Sequence, residues 1–485
     1  MSMNADTPDY RRDLLYRLLP QVYRSRDNGG DAEAGDMQAF LRVFGAVLNR
    51  FDATLDQRLA DAFPDAPPPS RARESLACQA WVSPYFADLL DVSLASPHAD
   101  GRRTEVAKAV AWRQRKGALG CLEDIARSVA GMEMVVREGW RLVARTPWID
   151  GHDAEWPART VNLFQKSCAL PADNAAGYAV RNPAGAPCAP GSYADRSTRT
   201  ADLRNAGGAR GQTHPGRVLL YFPPPAGFFP ADGPALDWAD RETAREDGLI
   251  DWEEAPGLLR IRGRLKVPLR LENLSLPGGP LRLELEGLTL SDALVLPAGS
   301  RLQAGRCAFR VVVVKGGRDE ERPEAVEAVD CLFGVLRAAQ GLRLEYCTVL
   351  GFCATTLIRA SDCLFRETIG TPAGGCVRYS RLQTEPDAEV SLEAGSCTCD
   401  PPRFFSTVFG QPGCGVLHPQ TPKAIRFGAE DRGEMGAYHH QCIALALEAV
   451  LDKTRDYLPA GLEPALIPDP ALAARPEATE TLSQD

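Results

Sequence analysis

The sequence predicts an α+β multidomain protein with a short right-handed parallel β-helix in the middle, a helical domain before it, and a glycine- and aromatic-rich region with a final helix after it. Two observations support this prediction. Cys331, Cys347 and Cys363 follow one another at intervals of 16 residues, each inside a block where small and large apolar side chains alternate. Amphipathic helical patterns occur before and after this repeat but not within it.

The repeat predicts short stacked strands. Alternation with a period of two is typical of a strand with one buried face, and Pro277–Pro280 and Pro297–Gly299 indicate turns between strands. A fourth block around Cys307 lies 24 residues before Cys331, and the polar run 316–323 is expected to be a loop that accounts for the longer interval. Since each rung of a β-helix buries its face only against its neighbours, the flanking regions are expected to cap the stack.

The four repeated cysteines are expected to point inward as reduced thiols. A thiol packs as a small hydrophobic group, and the polar N-terminus is unlike the signal peptides of disulfide-rich secreted proteins. Replacing Cys347 by Asp should be severe, because it would bury an unpaired carboxylate. The residues beside the cysteines, including Asp362, are expected to face solvent, so Asp362→Asn should do little.

Helical patterns dominate the N-terminal region. From Met37 to Leu59 apolar residues follow three- and four-residue spacing, which predicts an amphipathic helix that buries one stripe. Further helices are predicted over 81–92, from about Arg102, and over 119–131. The predicted domains are 1–135 (helical), 136–266 (a loop-rich arm with a strand at 161–164 and a polar stretch at 171–216), 267–381 (β-helix), 382–468 (C-terminal region) and 469–485 (disordered tail).

Composition limits the possible function classes. The 485 residues carry a formal net charge of −9, which argues against a general binder of nucleic acid or anionic membranes. The sequence has no apolar run of about 18 residues that would predict a membrane span, and cytoplasmic synthesis is expected. No phosphate-binding loop, nucleophile elbow or metalloprotease motif occurs. No catalytic residue, cofactor or enzyme activity is therefore predicted.

Two charged clusters are candidates for contact with a partner. The basic cluster is either a solvated helix face or a surface for a partner protein or a nucleic acid; its members are Arg102, Arg103, Arg113, Arg115 and Lys116. Glu430, Asp431 and Glu434 form an acidic cluster among glycines, which could bind a cation, cap a helix N-terminus or meet a neighbour's arginine.

Two further constellations carry weaker hypotheses. Cys397, Cys399, Cys414 and His418 could provide four zinc ligands, but Cys-x-Cys departs from the usual ligand spacing, and buried free thiols are the alternative. Asp330 and Asp362 would lie two rungs apart in the β-helix, about 9.6 Å, near the upper limit of the separation used by inverting glycosidases. Tyr346 takes the equivalent position between them, and surface carboxylates are the alternative interpretation.

The N-terminal motifs resemble a known family. Trp81–Leu89 fits W-x-x-P-Y-x-A-D-L, residues 102–107 fit R-R-x-x-x-A, and 113–123 are similar to R-R-K-G-T-x-x-x-L-E, with Ala118 where Thr is usual. This set resembles the signature of phage-tail-type proteins of contractile injection systems, with weaker similarity to myophage tail protein I, a baseplate wedge component. In the C-terminal region, residues 402–417 and 425–438 resemble tail-like proteins from the same systems.

The resemblance implies a structural baseplate (wedge) component of a phage-tail-like contractile injection system. Such a subunit would be present in six-fold symmetric copies around a central spike and would couple baseplate rearrangement to sheath contraction. Its partners would be other baseplate subunits and the spike, sheath or tube proteins, with no nucleic acid and no direct membrane insertion. The alternative is a β-helical, tail-associated protein that binds carbohydrate or cleaves polysaccharide.

Overall fold

The computed structural model describes residues 13–27, 35–64, 78–143, 214–230, 233–265, 267–316, 324–370, 372–384, 392–469 and 472. It is a mixed α/β structure, as predicted, and the chain divides into two compact units, residues 1–114 and 115–485. The predicted strand at 161–164, nearly all of the polar stretch 171–216 and most of the tail 469–485 lie outside the described residues. No helix in the described part of the chain is long and apolar enough to cross a bilayer.

The first unit is helical. Its helices are α1 (Leu14–Leu18), α2 (Gln21–Arg24), α3 (Asp36–Asp61), α4 (Ser83–Leu89) and α5 (Ala99–Gln114), with a 3-10 turn at Ala80–Val82. A small core forms where Ala87 and Val92 pack with Val106 and Ala109 of α5. Glu105, fully buried on α5, orders the preceding loop because its carboxylate accepts the backbone N–H of Ser96 at 2.7 Å.

The sequence prediction for α3 is correct in its position and wrong in its burial. Phe51 is 66% exposed and Leu55 is 67% exposed. The exposed apolar residues on this helix, here called the α3 stripe, are Met37, Phe40, Val43, Phe44, Val47, Leu48, Phe51, Leu55 and Leu59. Helix α1 contacts α3 from another side, where Arg42 forms an ion pair with Asp13 at 2.7 Å. The spacing therefore predicted an apolar stripe, but nothing in the described unit covers it.

The second unit begins with α6 (Leu119–Ala130), whose buried residues include Leu122, Ile125 and Val129. The apolar stripe predicted for this helix is confirmed. Two strands follow, β1 (Val135–Glu138) and β2 (Arg217–Phe222), which pair in antiparallel orientation.

Two large sheets come next, and the chain crosses between them repeatedly. Sheet one contains β3 (Ala235–Asp237), β6 (Leu269–Glu272), β8 (Leu288–Leu296), β10 (Ala308–Val314), β12 (Leu332–Ala338), β14 (Thr348–Val349), β15 (Cys353–Ala354), β17 (Leu364–Phe365) and β18 (Ile369–Gly370). Sheet two contains β4 (Ile250–Ala255), β5 (Leu258–Gly263), β7 (Arg282–Glu286), β9 (Arg301–Gly305), β11 (Glu324–Val329), β13 (Gly341–Glu345), β16 (Leu357–Ser361), β19 (Gly374–Arg378) and β20 (Leu392–Gly395). A short helix, α7 (Arg241–Glu246), lies between β3 and β4. Pairing is parallel in both sheets except between β4 and β5, and the sheets extend beyond the predicted bounds of 267–381.

The repeated cysteines lie in the core between these sheets. Cys307, Cys331, Cys347 and Cys363 are fully buried free thiols, as predicted. Adjacent members touch: the backbone N–H of Cys347 lies 3.4 Å from Cys363 Sγ. Burial raises the pKa of the Cys347 thiol well above its ordinary value. These thiols therefore serve as small apolar side chains that fit the narrow space between strands.

The chain ends with α8 (Lys423–Arg426), α9 (Ile443–Tyr457) and β21 (Glu463–Pro468). Helix α9 matches the predicted final helix and packs on α6. Strand β21 pairs in parallel with β2, so the order in this third sheet is β1-β2-β21. This sheet joins the first strand of the unit to its last.

Candidate functional site

The strongest local pattern in the second unit is a row of left-handed backbone corners. Each corner joins a strand of sheet two to the next segment of sheet one and stands immediately before an inward side chain such as Cys331 or Cys347. The non-glycine residues with positive φ in this row are Arg306, Asp330, Tyr346, Asp362, Tyr379 and Ser396. The C-terminal segment 428–442 lies against the middle of this row.

Asp362 anchors that segment. Its Oδ1 accepts the backbone N–H of Glu430 at 2.7 Å, and its Oδ2 accepts the hydroxyl of Ser361 at 2.7 Å. Its carbonyl oxygen accepts the N–H of Gly436 at 2.8 Å. The side chain is only 3% exposed, so the expectation that Asp362 faces solvent is wrong: the left-handed corner turns it towards the C-terminal segment.

Tyr346 and Asp330 hold the same segment through two histidines. The Tyr346 ring stacks on His439 with centroids 4.1 Å apart, and His440 meets the edge of Tyr346 at 5.0 Å. His440 Nδ1 lies 2.8 Å from Asp330 Oδ1. His439, itself buried, has Nδ1 2.6 Å from the Glu434 carbonyl and Nε2 3.1 Å from Asp431. The corner row and the turn before α9 therefore form one packed cluster, here called the corner cluster.

Glu434 reaches the start of α9. Its Oε1 accepts the N–H of Leu445 at 2.6 Å, which is the helix-capping role considered for the acidic cluster. Burial raises the pKa of the Glu434 carboxyl to about 8, against the lowering effects of the N–H groups of Leu445 and Ala444 and of Arg426. Its Oε2 is buried without a hydrogen-bond partner, so the carboxyl is mainly protonated at neutral pH. Glu430 and Asp431 remain exposed on the segment.

The predicted basic cluster separates into anchored and exposed residues. In the first unit Arg103 Nη2 donates to the carbonyl of Cys78 at 2.6 Å, Arg102 donates to the carbonyl of Pro97 at 3.3 Å, and Arg113 donates to the carbonyl of Asp91. These arginines hold loops in place through backbone carbonyls, so reversing Arg102 and Arg103 to Glu is expected to disturb the fold.

Arg115 and Lys116 follow the end of α5, so Arg115 does not lie on the same helix as Arg113. Both side chains are exposed, and in the second unit Arg115 pairs with Asp124 at 3.2 Å. Contact of the basic residues with a partner remains a prediction.

The four candidate zinc ligands do not form a site. No group of three or more His, Cys, Asp or Glu side chains suited to a metal occurs in the described residues. Cys414 is buried, which raises the pKa of its thiol to about 12, and Cys399 is exposed. Burial, together with Arg403, lowers the pKa of His418 to about 4, so that imidazole is neutral at physiological pH and packs against Phe405.

Comparisons with protein families, with curated proteins and with solved structures found no match.

Proposed function

We propose that this protein is a structural baseplate component of a phage-tail-like contractile injection system. The observation that carries the proposal is the α3 stripe. A helix of 26 residues with a continuous apolar face open to solvent is costly to hydrate, and large exposed apolar patches mark protein interaction sites. The motifs of the N-terminal and C-terminal regions supply the class of assembly. Its partners are other baseplate subunits and the spike, sheath or tube proteins, in six-fold copies.

The proposal includes a short right-handed parallel β-helix as the rigid centre of the subunit. Its support is the regular crossing between two parallel sheets, the buried thiols stacked at successive rungs, and a left-handed corner before each of them. The C-terminal segment would cover one side of the coil through the corner cluster. In this proposal a change of baseplate state acts through interfaces outside the coil.

Catalysis is not part of the proposal. Asp330 and Asp362 were the candidate carboxylate pair for polysaccharide cleavage, but Asp330 contacts His440 and Asp362 is buried under Glu430. Asp362 is only 3% exposed, so it is not open to a sugar or an attacking water, and the pair does not supply the two accessible carboxyl groups that an inverting mechanism requires. Both carboxylates instead hold the C-terminal segment in place.

The test places a charge in the α3 stripe. Phe44→Asp combined with Phe51→Asp should exclude a tagged chain from particles isolated from cells that contain the remaining components, because assembly would bury two carboxylates. The matched control is Ala53→Asp, an exposed substitution on the opposite side of α3. Electron microscopy of the particles and detection of the tag give the readout. Contractile particles that contain the double variant at the wild-type level would overturn the proposal.

A further inference from the structure

The outer face of sheet two carries two rows of charged and polar side chains. Strand register sets residues side by side on neighbouring strands, about 4.8 Å apart. Row one runs through Arg260, Glu284, Gln303, Glu327, Arg343 and Arg359. Row two runs through Arg262, Glu286, Gly305, Val329, Glu345, Ser361 and Arg378.

The first half of these rows is electrically balanced. Arg260 lies 2.6 Å from Glu284 and 2.8 Å from Glu253, and Arg262 pairs with Glu286 at 3.5 Å. Alternating opposite charges across strands stabilise a sheet. This half therefore needs no ligand to account for its charges.

The second half breaks the alternation. Arg343 and Arg359 are direct neighbours across β13 and β16, and they are 58% and 61% exposed. Like charges placed opposite each other destabilise a sheet. Arg378 lies on the next strand and donates to the Ser361 hydroxyl at 3.3 Å. We call Arg343, Arg359 and Arg378 the arginine triad.

Nearby carboxylates neutralise the positive charge of the triad only in part. Arg343 pairs with Glu345 at 3.3 Å and Arg359 with Glu324 at 2.9 Å. Both arginines keep more than half of their side-chain surface in solvent, so guanidinium N–H groups remain accessible beyond these two pairs. The triad is thus a local cationic site in a chain whose net charge is −9.

A groove runs over both halves. A pocket of about 360 Å³ is lined by the triad, Glu345 and Ser361. A second pocket of about 440 Å³ covers the balanced half and shares Arg343 and Glu345 with the first. Among the described residues that line the two pockets, none is aromatic.

We infer that this groove binds an acidic oligosaccharide, with an anionic substituent on the arginine triad and neutral sugar hydroxyls over the balanced half. Guanidinium groups bind carboxylate and sulfate through paired hydrogen bonds. Glu327, Glu345 and Gln303 offer acceptors for hydroxyl groups. This site is separate from the assembly surface on α3 and does not depend on the proposed baseplate role.

The lining distinguishes this ligand from two other classes. A nucleic acid carries a phosphate on every nucleotide, so its negative charges would be repelled by the carboxylates of Glu284, Glu286 and Glu327. A protein partner usually inserts aromatic or apolar anchors into a dry centre, and this groove offers polar walls. A polymer with many hydroxyls and occasional acidic groups fits both halves.

The experiment measures binding by the full-length protein using calorimetry. The probes are a hyaluronan oligosaccharide (a carboxylate on every second sugar) and a κ-carrageenan oligosaccharide (a sulfate on every second sugar), with maltohexaose and single-stranded DNA for comparison. Arg359→Gln with Arg378→Gln should weaken binding of the acidic oligosaccharide about tenfold or more, since two charge-assisted contacts are lost. The control, Arg270→Gln with Arg455→Gln, removes the same charge from exposed arginines outside the groove and should change affinity less than about twofold.

Binding of one acidic probe, with weak or absent binding of maltohexaose and DNA, supports the inference and identifies the acidic group. Equal loss in both double variants, equal affinity for DNA, or no binding of either acidic probe overturns it. Circular dichroism checks that the variants fold. If the triad variant does not fold, wild-type affinity must still fall as salt rises, because the triad contacts are ionic and exposed; affinity that is constant with salt overturns the inference.

Discussion

Tyr346 stacks on His439 with their ring centroids 4.1 Å apart. The contact joins a left-handed corner between the two large sheets to the turn that precedes α9. The two residues are far apart in the sequence, so their rings stack only when the C-terminal segment 428–442 packs against the corners. The stability of this docking is therefore the property that can be tested most directly.

Asp362→Ala should lower the free energy of unfolding of the second unit by about 1–3 kcal/mol, because the N–H of Glu430 and the hydroxyl of Ser361 lose a buried acceptor. Asp330→Ala is the matched control, since Asp330 is also a left-handed corner and its partner, His440, is exposed. Both variants place Ala at a positive φ, and this backbone cost is common to them. Beyond it, Asp330→Ala should lower the free energy of unfolding by less than about 1 kcal/mol. Urea denaturation measures both; equal losses would mean that the Asp362 contacts contribute nothing specific.

Gly436→Ala should detach the C-terminal segment. Gly436 has φ +98°, and a Cβ there would lie 2.4 Å from Thr348 Oγ1 and 2.7 Å from Leu364 Cδ1. Gly410 has a similar φ of +91° with no atom within 4 Å of such a Cβ, so Gly410→Ala isolates the backbone cost. Amide hydrogen exchange of residues 428–442 should be much faster in Gly436→Ala than in Gly410→Ala. The free energy of opening of this segment should be lower by roughly 1–3 kcal/mol. Equal protection in both variants would contradict the close approach.

Glu434 should make stability depend on pH. Burial raises the pKa of its carboxyl from 4.5 to about 8 in the folded state, so the folded protein binds the proton more tightly than the unfolded chain does. This contribution is fully present below about pH 4.5 and is lost as pH rises towards 8. Glu434→Gln keeps an acceptor for Leu445 and removes the ionisation, so it should stabilise the protein at pH 8.5 relative to the wild type. The control is Glu430→Gln at an exposed position, which should keep the pH dependence of the wild type. The measurement is the melting temperature as a function of pH. If the melting temperature of Glu434→Gln varied with pH as that of the wild type does, the raised pKa would not belong to Glu434.

Phe51→Asp should leave the stability of the isolated protein nearly unchanged, within about 0.5 kcal/mol, because Phe51 is exposed. Trp112→Ala in the same unit should cost about 3–5 kcal/mol, because Trp112 is fully buried. Thermal unfolding of the two variants gives the comparison. A large loss for Phe51→Asp would show that the α3 stripe is already covered in the isolated chain.

The spacing of the cysteines predicted the buried column, because each pass of the chain through the two sheets from Cys331 to Cys363 takes 16 residues and the strand period of two determines which side chain faces inward. The corners could not be predicted in the same way. Asp and Asn tolerate the left-handed region, but Tyr346 and Arg306 take the same conformation, so no residue type marks the row. The inward–outward alternation does not apply at a corner, which is why Asp362 was placed in solvent.

Local sequence patterns could not predict the corner cluster either. His439 and His440 precede α9, but their partners Tyr346 and Asp330 are corners far earlier in the chain. A pattern of neighbouring residues cannot predict a contact between segments that are far apart in the sequence. For α3 the pattern predicted the stripe and its position, but whether another surface covers a stripe depends on tertiary contacts that local spacing does not contain.

The sheet β1-β2-β21 has a mechanical consequence. Strands β2 and β21 are parallel, with Arg217 beside Glu463 and Phe222 beside Pro468. A pull on the chain ahead of β2 and behind β21 therefore acts on opposite ends of this pair, so the hydrogen bonds between them share the load in shear. Everything from Pro223 to Leu462 lies within the loop that this pair closes. Tension along the chain would reach the two large sheets only after the β2–β21 pair had ruptured.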